Sequence, residues 1–320
     1  MGPGLYWGSG IGRCDGGGSG ALARGGAWRE AEPGAGLSPL YPSGSSPGQL
    51  QAPVCTLARS DIRIAWTMAL GTCRAVLVTG CNRGIGLGLV RGFLARSPSP
   101  DLVIATCRHP DQAQELQHLK KQHQNLRVLQ LDILCENSIK KATQETEALV
   151  GEQGLNCLIN NAGINRIATL DSVTAQDMLA LYETNTVAQL MVSKAFLPLL
   201  RKAAYQDVVM GIHRAAIINV SSQSASMQLF SQNKKSEEVY PYRIAKTALN
   251  MITCCLAADL ISDGILCMSL EPGWVKTDMG GSKAPLQLKE IIPGILNVLA
   301  NVREKDHGAF LNWKGEVVPW

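Results

Sequence analysis

From Ala75 onward the chain alternates between two textures. Short, continuous apolar runs recur (AVLVT, LVIATC, LRVLQL, NCLIN, AAIINV and ILCMSL). Most give way to a longer stretch whose apolar residues return every three or four positions. Uninterrupted aliphatic and β-branched runs suit strands covered on both faces, whereas the wider spacing suits helices with one buried stripe. The pattern predicts helices over 85–97, 111–124, 136–153, 175–202 and 242–262, and a last strand over 309–313. Strands that alternate with helices pair in parallel through right-handed crossovers. The expected architecture is an α/β, doubly wound parallel sheet of about seven strands. In such a sheet ligands gather beyond the carboxyl ends of the strands, so the polar residues that follow strands are the ones to weigh.

The residues ahead of this pattern read differently. Fifteen of the 32 glycines fall within the first 50 residues, in stretches such as GSGIGRCDGGGSG. With few branched or aromatic side chains to offset the entropy of ordering, 1–71 is expected to be a disordered extension, leaving 72–320 as one domain of ordinary size. Met68 is a candidate alternative start. No basic patch leads into an apolar run, which argues against a signal peptide, and no apolar run is long enough to cross a bilayer. Ten cysteines without a C-x-x-C spacing fit buried thiols in a reducing compartment, the cytoplasm. Cys254 and Cys255 read as small core residues. His109, His118 and His123 do not share one helix face, so no metal site is expected. The net charge of +4 is dispersed, which gives no nucleic-acid surface.

The first strand runs into TGCNRGIG and then into the helical pattern LGLVRGFLA. Glycines at such a corner permit a tight turn and bring a helix N-terminus, with its free amides and dipole, against a pyrophosphate. GSGIGRCDGGG near the chain start is as glycine-dense, yet it lacks a strand before and a helix after, and reads as linker. At the end of the second strand, IATCRHP places Cys107 and Arg108 where an acidic residue would hold the ribose hydroxyls of NAD. A guanidinium suits a phosphate, and Arg83 inside the glycine turn is a second candidate. Each arginine alone reads equally well as a surface residue; with no acid present, NADP(H) is the expected cofactor.

Residues four apart share a helix face. In VYPYRIAKTALN, Tyr242 and Lys246 have that spacing, whereas Tyr240 meets Ile244; Pro241 falls where a helix would start. A free phenol titrates near ~10, and lowering it by about 3 units takes roughly 4 kcal/mol. One cation at ~4 Å through an effective dielectric of ~20 supplies about that much, so a lysine is sufficient to turn a tyrosine into a usable acid. Y-x-x-x-K by itself reads as readily as a surface pair.

Thr-Gly-x-x-x-Gly-x-Gly, LQLDI, LINNAG, a serine after the fifth strand, YRIAK and EPGWVKT follow successive strands in the order seen in short-chain dehydrogenases/reductases, and the chain resembles that family from Ala75 to Trp320. The resemblance implies a Rossmann-type domain. It assigns Thr79, Gly80, Asn82, Arg83, Gly84, Ile85 and Gly86 to the cofactor turn, Asp132 and Ile133 to the adenine, and Asn161, Ala162 and Gly163 to the groove. Pro272, Gly273, Val275 and Thr277 complete the dinucleotide site, Thr277 holding the carboxamide. Asp132 has a second reading as a cap on the helix that follows.

The family pattern also implies the catalytic set. It selects Ser222 over Ser221 to polarise the substrate oxygen, Tyr242 to protonate it, and Lys246 to tune Tyr242 and grip the ribose. Asn185 would hold a water that relays protons towards Lys246, its alternative being a satisfied core amide. QNKKSEE lengthens the approach to Tyr242. Within the family the chain looks most like carbonyl reductases of the C-factor and sniffer type. That implies a small hydrophobic carbonyl substrate, facing Met227, Leu229, Trp274 and 279–286, and a homodimer or homotetramer through the helices of Asn185 and Tyr242. A hydroxysteroid or retinoid dehydrogenase would share the same residues, and a cofactor-binding signalling or redox-sensing protein could use the same fold. An epimerase of the extended type is disfavoured by the glycine spacing.

Overall fold

The computed structural model describes residues 73–207, 209–233 and 239–320. The expected extension over 1–71, Met68, and most of the QNKKSEE insertion lie outside the described residues. Seven parallel strands form one sheet in the order β3-β2-β1-β4-β5-β6-β7. They are β1 Ala75–Val78, β2 Leu102–Cys107, β3 Leu126–Gln130, β4 Cys157–Asn160, β5 Ala216–Val220, β6 Leu266–Glu271 and β7 Phe310–Asn312. The chain steps outward from β1 through β3 and returns to start β4 on the other side of β1. The crevice between β1 and β4 is the switch point at which such sheets bind ligands.

Both faces of the sheet are covered, which explains the unbroken apolar runs. Val76 and Val78 join a core with helices α1 (Gly84–Ala95), α2 (Gln114–Gln122) and α8 (Leu288–Asn301). Ala75 and Leu77 point into the opposite core with α3 (Glu136–Val150), α5 (Ala188–Ala204) and α7 (Tyr240–Leu260). Each buried aliphatic side chain contributes about 1.5–3 kcal/mol. The α1–α8 contact depends on missing side chains: a Cβ at Gly88 would lie 2.8 Å from Ile292 Cδ1, and one at Gly92 would lie 2.6 Å from Leu296 Cδ1.

The helices depart from the sequence pattern in three places. The stretch read as 111–124 is a helix only from Gln114, because Pro110 opens a separate 3-10 turn, Pro110–Gln112. The long helix over 175–202 is α4 (Ala175–Tyr182) and α5 joined by a π turn, Glu183–Val187, which admits one extra residue. α6 (Met227–Asn233) and α8 have no counterpart in the sequence reading. α8 carries Pro293 and Gly294 in its interior, which obscures its periodicity. It forms because six aliphatic residues between Ile291 and Leu299 are buried, and Gly294 leaves room for Trp313.

Candidate active site

The carboxyl ends of β1, β2, β4, β5 and β6 open on a cleft of about 740 Å³. Its floor is the glycine turn. Gly80 has φ +70° and Gly84 φ +59°, conformations open to glycine at little cost. A Cβ on Gly80 would lie 2.8 Å from Ala162 Cα, and one on Gly86 would lie 2.4 Å from the Gly80 carbonyl oxygen, so both positions require glycine for packing as well. α1 begins at Gly84 with no side-chain cap and no acidic residue in its first turn. Its dipole and leading amides therefore face the cleft unopposed, which suits a phosphate. A dinucleotide pyrophosphate fits this cradle in charge and in clearance.

Behind the turn, side chains lock the strands together. Thr79 Oγ1 accepts the amides of Asn161 and Ala162, each at 3.0 Å. Asn161 Nδ2 donates to the carbonyls of Thr79 and Gly80 at 2.8 and 3.2 Å. Thr79 is fully buried, so its role is to hold the groove's shape. Gly86, Gly273 and Val275 likewise lie behind the cleft lining, whereas Gly80, Asn82, Arg83, Gly84, Ile85, Ala162, Gly163, Pro272 and Thr277 border it.

At the adenine end, Arg108, His109, Asp132 and Ile133 line the cleft. Asp132 Oδ1 accepts the amide of Leu134 at 3.1 Å, so the residue shapes a turn ahead of α3 without capping that helix. Cys107 is buried. No acidic side chain replaces it at the end of β2. Arg83 pairs with Asp278 across the cleft at 2.8 Å, with both side chains about 70% exposed; Asp278 had no signal in the sequence.

At the other end the structure gathers Asn185, Ser222, Tyr242 and Lys246. Of the two serines after β5, Ser221 is buried and donates to Asn250 Oδ1 at 2.7 Å. Ser222 is half-exposed, accepts the amide of Ser224 at 3.2 Å, and lies beside the Tyr242 phenol, whose proton affinity it lowers. α7 starts at Tyr240 with Pro241 in its first turn, which brings Tyr242 to the cleft wall. Lys246 is 4% exposed; its Nζ donates to the Val220 carbonyl at 2.6 Å and stands 5.8 Å from the Tyr242 ring centroid. Gly163 makes room for the neighbouring Asn185, since a Cβ there would lie 2.9 Å from its Oδ1.

Asn185 sits in the π turn, fully buried, and its amide makes a closed pair with the backbone of Ile164: Oδ1 accepts at 2.9 Å and Nδ2 donates at 2.8 Å. The side chain therefore pins the segment after β4, as the core-amide reading expects.

The electrostatics correct one expectation. Burial pushes the Tyr242 phenol up to about 12; the adjacent Ser222 hydroxyl pulls it down, and the Glu271 carboxylate raises it further. Burial also lowers Lys246 to about 8. The protein alone does not make this phenol acidic, because removing both groups from water outweighs the attraction counted from spacing.

Of the apolar residues expected to face the substrate, Met279 borders the cleft, while Met227 and Trp274 are exposed and Leu229 partly covered outside its lining. Trp274 Nε1 donates to the Gly280 carbonyl at 2.8 Å, which orders the loop after β6. Among the described residues no cluster could hold a metal ion, and no helix is long and apolar enough to cross a membrane.

Comparison with known proteins finds the same fold elsewhere. The family model of the short chain dehydrogenase matches residues 74–287. The carbonyl reductase Sniffer of Drosophila melanogaster shares 43% identity over 77% of this chain and 99% of its own, with a TM-score of 0.74. A carbonyl reductase from chicken fatty liver, solved with NADPH bound, shares 47% identity over 78% of this chain and 100% of its own, also at 0.74. The C-signal protein of Myxococcus xanthus is 34% identical over 164 residues, which cover 51% of this chain and 91% of that protein. With the family model spanning the sheet from β1 through the loop after β6, the chain belongs to the short-chain dehydrogenase family of oxidoreductases.

Proposed function

We propose that the protein is an NADPH-dependent carbonyl reductase that converts hydrophobic ketones or aldehydes to alcohols. The observation that carries this reading is a cleft that brings Tyr242 and Lys246 to one end, with Ser222 beside the phenol, and Arg108 to the other, where β2 ends in Cys107 rather than an acid. The dinucleotide, when bound, supplies the hydride. Ser222 holds the substrate oxygen, and Tyr242, neutral at physiological pH, donates the proton to it. Lys246, charged below about 8, steadies the phenolate that remains and reaches the ribose. Asn185 keeps the β4 segment in register with both, and by family resemblance supports the proton route.

Arg108, with Arg83, favours a phosphorylated ribose. The NADPH-bound chicken carbonyl reductase supports that assignment. Met227, Trp274 and Met279 favour an apolar substrate. Exposed Leu179, Met191, Ile244 and Met251 lie on α4, α5 and α7, which supports self-association as a dimer or tetramer. The free cysteines among the described residues support a cytoplasmic setting.

The test is Tyr242→Phe. NADPH oxidation with a panel of aromatic and lipid-derived carbonyls should fall about 10³-fold or more, while NADPH binding, read by its fluorescence, is retained. Undiminished carbonyl reduction by this variant would refute the assignment.

A further inference from the structure

Glu271, the last residue of β6, is a buried acid for which the proposed reaction has no use. It is 7% exposed. Its Oε1 accepts the amide of Gly273 at 2.7 Å, and the Gln223 amide lies near enough to favour its charged form, against the burial that opposes it. These two amides belong to different parts of the site. Gln223 directly follows Ser222 and opens the 3-10 turn Gln223–Ala225. Gly273, with φ +85°, opens the loop that carries Trp274, Thr277 and Met279. β5 and β6 are neighbours, with Val220 opposite Leu270, so one carboxylate ties together the two strand ends that flank the substrate position.

A buried carboxylate is costly, and it persists where donors are aimed at it. Here both donors are backbone amides, and among the described residues no cation forms an ion pair with Glu271. The geometry points to Glu271 as a positioning residue: its carboxylate clamps the Gln223 and Gly273 amides and so sets the Ser222 hydroxyl against Tyr242 and the substrate loop above it. This rests on the catalytic reading given above. The charge has a second effect. The charged groups facing the phenol are Glu271 from β6 and Lys246 from α7, while β5 and the π turn contribute only the uncharged Ser222 and Asn185. Glu271 favours the protonated phenol, which is the form that carbonyl reduction consumes.

Glu271→Gln in the full-length protein separates these effects from general damage. The Tyr242 phenol is followed at 295 nm in stopped-flow pH jumps, as the difference between each protein and its Tyr242→Phe counterpart. We expect it to titrate about one unit lower in the variant. Reduction of an aromatic aldehyde at pH 7 should lose about tenfold or more in kcat, because the hydroxyl is misplaced, with NADPH affinity within about threefold. The proposal is overturned if kcat stays within about twofold of the parent. It is also overturned if kcat falls while the phenol titration stays where it was.

Glu271→Asp keeps the charge but shortens the reach. It should leave the titration in place and still lower kcat; if the glutamine variant does not fold, an aspartate variant whose kcat stays within about twofold of the parent overturns the proposal. Should Tyr242→Phe prove fully active, the catalytic reading fails. The titration, which needs no turnover, would still show whether Glu271 acts on the phenol.

Discussion

Lys246 is charged at a place where burial opposes charge. Its value of about 8, against an ordinary 10.5, means that keeping the ammonium costs about 3 kcal/mol of folding free energy at neutral pH. The sign follows from proton uptake. Between about 8 and 10.5 the unfolded chain holds a proton that the folded one has lost, so this group's contribution to stability improves as pH rises through that window. Lys246→Met should therefore raise the denaturation midpoint at pH 7, raise it less at pH 10, and abolish turnover. A variant less stable than its parent at pH 7 would show that the Val220 contact outweighs desolvation. Arg108 is argued from charge alone. Arg108→Asp should weaken NADPH binding by about 10²-fold while NADH binding changes little, as competitive fluorescence titration would show. Equal losses would remove Arg108 from cofactor choice.

Among the elements, the glycine turn acts as one piece. Gly86→Ala would drive a Cβ against the Gly80 carbonyl, and overpacking of this kind costs about 1–3 kcal/mol. The expected result is a lower Tm together with NADPH affinity reduced about tenfold or more, because the strain falls on the cradle itself. Unchanged NADPH affinity would show that the turn relaxes without loss.

Elements with simple periodicity were legible in advance. All seven strands and every labelled helix but α6 and α8 could be read from runs and spacing, α4 and α5 as one, and Tyr242 could be told from Tyr240 because the helical repeat selects one partner for Lys246. The π turn was not legible, since ETNTV differs from an α-helical stretch only in its hydrogen bonding. α8 was hidden by Pro293 and Gly294, which suit its packing against Trp313 rather than its propensity. Glu271 and Asp278 fall within the EPGWVKT motif or just beyond it, but the Gln223 amide near Glu271 comes from the turn after β5 and the partner of Asp278 from the glycine turn. Such pairings have no local signal and appear only when the sheet brings strand ends together. The phenol's high proton affinity escaped for a related reason: spacing supplies the neighbouring charge but says nothing about lost water.

At the scale of the molecule, the sheet, both helical layers and the cleft lie within 73–320, and the family match starts at residue 74. A chain of residues 72–320 is therefore expected to bind NADPH and reduce carbonyls within about twofold of the full-length protein, since each set of contacts described is internal to it. A large loss of activity, with folding intact by circular dichroism, would give 1–71 a part in the reaction.

The contact between Arg83 and Asp278 bears on cofactor discrimination. Both side chains are mostly exposed, so the pair adds little to stability. Any phosphate drawn to Arg83 must nevertheless win it away from an anion already in place. Part of the intrinsic attraction for a phosphorylated ribose is then spent on that exchange, while a ligand without the phosphate leaves the bond untouched. The preference between the two dinucleotides should accordingly be smaller than two free guanidinium groups would give, and raising ionic strength, which loosens old and new partners alike, should alter it less than it alters either affinity.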